Sequence, residues 1–118
     1  EFNISHSGNM VVCAVDDKPI GIDIEQIRPI DLTVAKRICT DEELLYLFGH
    51  TPTDEDFTYT TDTEILTRFF ELWTAKEAYG KCMGEGIGSI SDIPSNCTKT
   101  KHIFADYVIN ICYLNFGF

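Results

Sequence analysis

Three carboxylates and two lysines stand where neither a core nor an ordinary surface requires them. In Ile20-Gly21-Ile22-Asp23-Ile24-Glu25 the alternation puts the three isoleucines on one strand face and Gly21, Asp23 and Glu25 on the other. Two residues of strand rise separate the carboxylates by roughly 6.6 to 6.8 Å. Like charges so placed repel unless a cation or basic group lies between them; an exposed strand face is the competing reading. Further along, Phe69, Leu72, Trp73, Tyr79 and Met83 gather into one apolar stripe at helical period. Lys76 falls inside that stripe. Glu77 lies at its margin beside Trp73, and Lys81 follows at i+4 in the stabilising order. The bland alternative is a snorkelling lysine and a solvated ion pair. Asp23, Glu25 and Glu77 offer three hard oxygen donors with no thiolate or histidine cluster, a set suited to Mg²⁺ rather than zinc. Near the start, Ser5-His6-Ser7-Gly8 offers hydroxyls, an imidazole and close backbone approach, a combination suited to phosphate oxygens. A polar lead-in to a strand explains that segment equally well.

The elements that must position these residues are readable in outline. Met10–Val15 reads as a strand apolar on both faces, Asp16-Asp17-Lys18-Pro19 as a turn, and 20–25 as the returning strand. Asp31 can cap a first helix with Leu32, Ala35 and Ile38 inside and Lys36 and Arg37 outward. Thr40 and Glu43 form a capping box for a second, with Leu44, Leu45, Leu47 and Phe48 inside and Gly49 as the stop. Residues 50 to 62 read as a long surface loop, and Thr61 with Glu64 as a box opening the long helix, which runs to about Cys82. Residues 83–89 have three glycines in five residues, a flexible turn, and residues 89 to 102 are polar and short-ranged. Tyr107–Leu114 reads as a last buried strand paired with 10–15. Strands on either side of a group of helices predict α+β: a small, mostly antiparallel sheet packed on helices, the longest of which carries Lys76-Glu77-Ala78.

At 118 residues the chain is one domain with one modest core. Its net charge of −10 argues against nonspecific binding to nucleic acid or anionic membrane, and no apolar run approaches a bilayer span. An anionic ligand must therefore be held by local charges or a metal. Cysteines at 13, 39, 82, 97 and 112 form no Cys-x-x-Cys pair, which fits neither a disulfide framework nor a zinc site and suits a reducing cytoplasm. The opening at Glu1-Phe2 reads as a piece cut from something longer.

Three segments together carry a family resemblance: Phe2-Asn3-Ile4-Ser5-His6-Ser7-Gly8, then Gly21-Ile22-Asp23-Ile24-Glu25, then Phe70-x-Leu72-Trp73-Thr74-x-Lys76-Glu77-Ala78-Tyr79-x-Lys81-x-x-Gly84-x-Gly86-Ile87. In order and approximate spacing they resemble the 4′-phosphopantetheinyl transferases of the surfactin-synthetase-activating type. The shorter holo-acyl-carrier-protein synthase type carries its Ser-His segment near the C-terminus, so the order here disfavours it.

The resemblance implies an enzyme that moves 4′-phosphopantetheine from coenzyme A to a serine of an acyl or peptidyl carrier protein and releases 3′,5′-ADP. It implies Asp23, Glu25 and Glu77 as Mg²⁺ ligands, with the metal bridging the coenzyme A pyrophosphate. Lys76 and Lys81 would neutralise phosphates, Ser5 and His6 would contact the nucleotide phosphates, and Glu77 or Glu25 would be the base. Enzymes of this type have two similar halves, and the chain corresponds to the second. The whole chain, 1–118, is then a C-terminal half whose partner is the missing N-terminal half or a second copy of itself in a homodimer. Two other readings compete: an inactive or scaffolding half-domain, and another Mg²⁺-dependent phosphoester-processing enzyme using the same acidic triad.

Overall fold

The computed structural model describes residues 1–84 and 97–114. Among the described residues, seven strands and three helices follow the order β1 (Phe2–Ser7), β2 (Met10–Val15), β3 (Ile20–Gln26), β4 (Ile30–Asp31), α1 (Ala35–Ile38), α2 (Asp41–Phe48), β5 (Tyr59–Thr60), α3 (Thr63–Met83), β6 (Cys97–Phe104) and β7 (Tyr107–Leu114). The class is α+β, as the sequence predicts. The central sheet runs β3-β7-β6, antiparallel throughout, and α3 packs across β3 and β7.

Local chemistry explains the helix boundaries. Thr40 accepts from Glu43 N while Glu43 accepts from Thr40 N, the reciprocal box expected for α2, and Gly49 ends it at φ 77°. Asp31 accepts from Thr33 N as expected, over a short 3-10 turn at Leu32–Val34 that leads into α1. The long helix is capped by Asp62, which accepts from Glu64 N and Ile65 N, rather than by Thr61. The Asp62 carboxylate, one residue closer to the helix, reaches two of the orphan amides of the first turn, so no Thr61–Glu64 box is needed.

Several expectations are corrected. Tyr107–Leu114 pairs with β3 and β6, not with residues 10–15. Met10–Val15 instead forms a separate hairpin with β1, and it is not buried on both faces: Val11 and Val15 are 70% and 76% exposed. Residues 97–104 form a strand despite their polar sequence, because β6 is a sheet edge and its exposed Lys99 and Lys101 suit such a position. The 50–62 loop contains a 3-10 turn and β5, which pairs with β4. Leu45 and Met83, expected inside, are exposed, whereas Phe70 is buried. Beyond Gly84, the glycine-rich turn lies outside the described residues.

The main core joins Leu32, Ala35, Leu47, Phe48, Leu66, Phe69, Phe70 and Val108 between the helices and β7. A second cluster, Ala78, Tyr79, Cys82 and Cys112, seals the far end of α3 on the sheet. No helix among the described residues is long and apolar enough to cross a membrane.

Candidate active site

The seam between β3 and α3 is set by Gly21, whose missing side chain allows the strand to approach the helix backbone. A Cβ there would run into the Ala78 carbonyl oxygen and stand 2.6 Å from Cys82 N. Period-2 geometry then turns Asp23 and Glu25 toward the same helix face. Asp23 is 6% exposed, and its Oδ1 accepts from Lys81 Nζ at 3.2 Å. Lys81 also donates to Ile22 O at 3.0 Å, so its ammonium is tied to the strand at two points. Asp23 Oδ2 is buried without a hydrogen-bond partner.

The hairpin closes the other side of β3. Asn3, Ser5 and Ser7 alternate along β1, and their side-chain oxygens accept from Ile22 N, Ile24 N and Gln26 N at 3.0, 3.2 and 3.0 Å. This side-chain ladder satisfies the outward amides of an edge strand without a backbone partner. Ser5 does more. While accepting from Ile24 N, its hydroxyl donates to Asp23 Oδ1 at 3.2 Å, which holds the carboxylate's orientation from below.

A cavity of about 380 Å³ opens along this seam, lined by Ile4, Ser5, His6, Asp23, Glu25, Trp73, Glu77 and Lys81. It brings together six of the seven residues singled out from the sequence. Burial pushes Asp23 up to about 6 against the pull of Lys81, with Glu25 and Glu77 adding repulsion. Burial likewise raises Glu77, opposed by Lys81 and aided by Glu25. The three carboxylates thus feel one another, yet they do not converge: among the described residues no three His, Cys, Asp or Glu side chains form a ready metal cluster. Glu25 is turned toward Arg28, with Nη1 to Oε2 at 2.8 Å, and Arg28 lies over the Phe70 ring at 5.0 Å.

Lys76 is the seventh, and it is elsewhere. Its side chain is 1% exposed and its Nζ lies 3.0 Å from Glu43 Oε1 on α2. Two further residues, Arg28 and Trp73, are given no role by the motifs. Arg28 lies three residues beyond Glu25, a spacing that flags a local ion pair once a turn is assumed; Trp73, one turn before Glu77, carries the signal as a large aromatic beside a carboxylate on one helix face.

A sequence model of the 4′-phosphopantetheinyl transferase superfamily matches residues 19–112. The chain belongs to that superfamily. The matched span holds Asp23, Glu25, Lys76, Glu77 and Lys81 and begins after Ser5 and His6. Among relatives, the chain is 46% identical over 86 residues to the 4′-phosphopantetheinyl transferase psf-1 of Bacillus pumilus, covering 73% of this chain and 33% of that protein. It is 43% identical over 86 residues to the transferase Sfp of Bacillus subtilis, covering 73% and 34%. With the transferase HetI of a Nostoc species the identity is 38% over 103 residues, covering 85% and 39%. The motif resemblance to the surfactin-synthetase-activating type is borne out at the level of the family. The transferase-like chain spans about a third of the length of the first of these relatives.

Proposed function

We propose that this chain carries the phosphopantetheine-transfer site of a 4′-phosphopantetheinyl transferase: coenzyme A gives up its 4′-phosphopantetheine to a serine of an acyl or peptidyl carrier protein, and 3′,5′-ADP leaves. The observation that carries this reading is the β3–α3 cavity, where Asp23, Glu25, Glu77 and Lys81 of the family-matched region meet His6 of the hairpin.

The donor set fits a hard divalent cation. Asp23 presents a buried carboxylate oxygen with no partner, and Glu25 and Glu77 add only oxygens, so Mg²⁺ is the ion the chemistry favours. Asp23, Glu25 and Glu77 are its proposed ligands. Bound there, the ion would offset the negative charge of the coenzyme A pyrophosphate.

Lys81, fixed by Ile22 O and Asp23, offers the third proton of its ammonium to a phosphate oxygen, and the exposed His6 imidazole offers a second contact. The serine hydroxyl of the carrier attacks the pantetheine-side phosphorus. The new serine O–P bond forms as the P–O bond to 3′,5′-ADP breaks, and the hydroxyl proton passes to a carboxylate. Glu77 is the better placed of the two candidates, because it faces the cavity from α3 while Glu25 is engaged by Arg28. Positioning and charge stabilisation supply most of the rate.

The cavity has a companion surface. Phe2, Ile4, His6, Val11, Cys13 and Val15 pair across the hairpin on one face, all exposed, and that apolar face runs beside the cavity through Ile4 and His6. We assign it to a companion half, the rest of a longer chain or a second copy of this one. Sedimentation of residues 1–118 tests that assignment: self-association weakened by Val15→Lys supports it, and a strictly monomeric, fully active species contradicts it. For the reaction itself, the test is mass spectrometry of a carrier protein incubated with coenzyme A, Mg²⁺ and the protein. A phosphopantetheine adduct on serine supports transfer, and hydrolysis of coenzyme A without an adduct would favour a phosphohydrolase.

A further inference from the structure

Lys76 sits inside the apolar face of α3, next in sequence to Glu77 and one turn before Gly80, yet it does not line the cavity. Its ammonium is buried against Glu43, and Glu43 is not a mobile surface acid: the same Oε1 accepts from Thr40 N at 2.8 Å in the box that opens α2. The lysine is therefore anchored to a carboxylate whose own position is fixed by a helix start. On another side of α3, Asn110 of β7 donates to Thr74 Oγ1 at 2.7 Å and to Glu71 O at 3.3 Å. Two polar ties, to α2 and to β7, thus hold one short stretch of the helix, and at its end the Lys76 side chain is buried within the apolar face.

Successive helix residues point about 100° apart, so clamping Lys76 toward α2 decides where Glu77 points. A side-chain carboxylate lies about 6 Å from the helix axis, and a rotation of about 10° to 20° would carry it about 1 to 2 Å along its arc. A displacement of about 1 Å in an active site is enough for roughly a hundredfold loss of rate.

We infer that Lys76 and Glu43 form a positioning pair that sets the rotation of α3 and so aims Glu77 and Lys81 at β3, and that Lys76 is not itself a phosphate contact. The ligand-binding part of this inference rests on the proposed transferase reading; the structural part does not. Breaking the pair on one side leaves a charge in an apolar setting, whereas removing both charges is close to neutral. Lys76→Met preserves the length and packing of the stem, and Glu43→Gln preserves the oxygen that accepts from Thr40 N.

The experiment compares Lys76→Met, Glu43→Gln and the double variant by two readouts. Trp73, the sole tryptophan, lines the cavity from α3 one turn before Lys76, so its emission and acrylamide quenching report how the helix is seated. The inference predicts a shifted emission and greater quenching in Lys76→Met, and a return to wild-type values in the double variant. It also predicts that Mg²⁺-dependent coenzyme A affinity, by calorimetry, falls about tenfold or more in Lys76→Met and recovers to within about threefold in the double variant. An unshifted Trp73 in Lys76→Met overturns the inference. So does a double variant that binds coenzyme A as weakly as Lys76→Met, which would mark Lys76 as a direct contact. If the wild-type protein binds no coenzyme A, the transferase reading falls, and the Trp73 comparison still decides the positioning pair.

Discussion

Gly21→Ala isolates the contact that brings β3 against α3. The added Cβ would stand 2.6 Å from Cys82 N and closer still to the Ala78 carbonyl, both backbone atoms of a helix rather than the end of a flexible side chain. To recover an ordinary contact of 3.4 Å, α3 must withdraw by about 0.8 Å at Cys82 and by more at Ala78. Overpacking of this kind costs about 1 to 3 kcal/mol, and the rigid opposing atoms place this substitution at the upper end. Loss of glycine's freedom in the unfolded chain works the other way by about 0.4 to 1 kcal/mol, so the measured effect should be close to 2 kcal/mol. Urea denaturation reads it as a midpoint lowered by roughly 1 M, given a slope of about 2 kcal/mol/M. The same withdrawal lengthens the Lys81 contacts to Asp23 and Ile22 O, now 3.2 and 3.0 Å, so Mg²⁺-dependent coenzyme A binding should weaken by about tenfold or more. An alanine variant as stable as wild type, with unchanged coenzyme A binding, would refute the reasoning that close strand–helix approach builds the site.

Ser5→Ala should leave Ile24 N–H without its acceptor and Asp23 with Lys81 but no hydroxyl donor, lowering stability by about 1 to 3 kcal/mol; Ser5→Thr, which retains the hydroxyl, should restore much of it in the same denaturation assay. Asp23 has its carboxyl raised by burial from 3.8 to about 6, so between those values the folded protein keeps a proton that the unfolded chain has released. Its effect is therefore a stability that is fullest below about pH 4 and declines as pH rises through about 6. Asp23→Asn should flatten that decline and exceed wild type in stability at pH 7 without metal; an unchanged pH profile in thermal unfolding would count against the buried, repelled carboxylate.

The residues that line the cavity are legible in the sequence because their spacing violates what packing alone would choose. Asp23 and Glu25 alternate with isoleucines, and Glu77 with Lys81 follows Trp73 on one helix face, so local periodicity alone turns them toward the one cavity that they line. Lys76 was equally conspicuous, but its partner was not. Glu43 lies 33 residues away in sequence and has a sufficient local explanation in the α2 capping box, which hides its second bond to the lysine. The same limit applies to β1. The alternation Asn3, Ser5, Ser7 reads as a polar lead-in until β3 lies beside it, because side-chain acceptors for another strand's amides leave no local signature. Strand pairing failed for a related reason: Met10–Val15 is apolar enough for a central strand, and only the exposed positions of Val11 and Val15 reveal a hairpin outside the main sheet.

The central proposal is that Mg²⁺ draws Asp23, Glu25 and Glu77, which line one cavity without converging, into one cation site on which coenzyme A binding depends. Calorimetric titration of Mg²⁺ in the presence of coenzyme A tests it most directly, using the wild-type protein alongside Asp23→Asn and Glu77→Gln. The account predicts saturable Mg²⁺ binding by the wild type, a loss of about tenfold or more in each variant, and folded variants by circular dichroism. Equal Mg²⁺ affinity in all three proteins would contradict it.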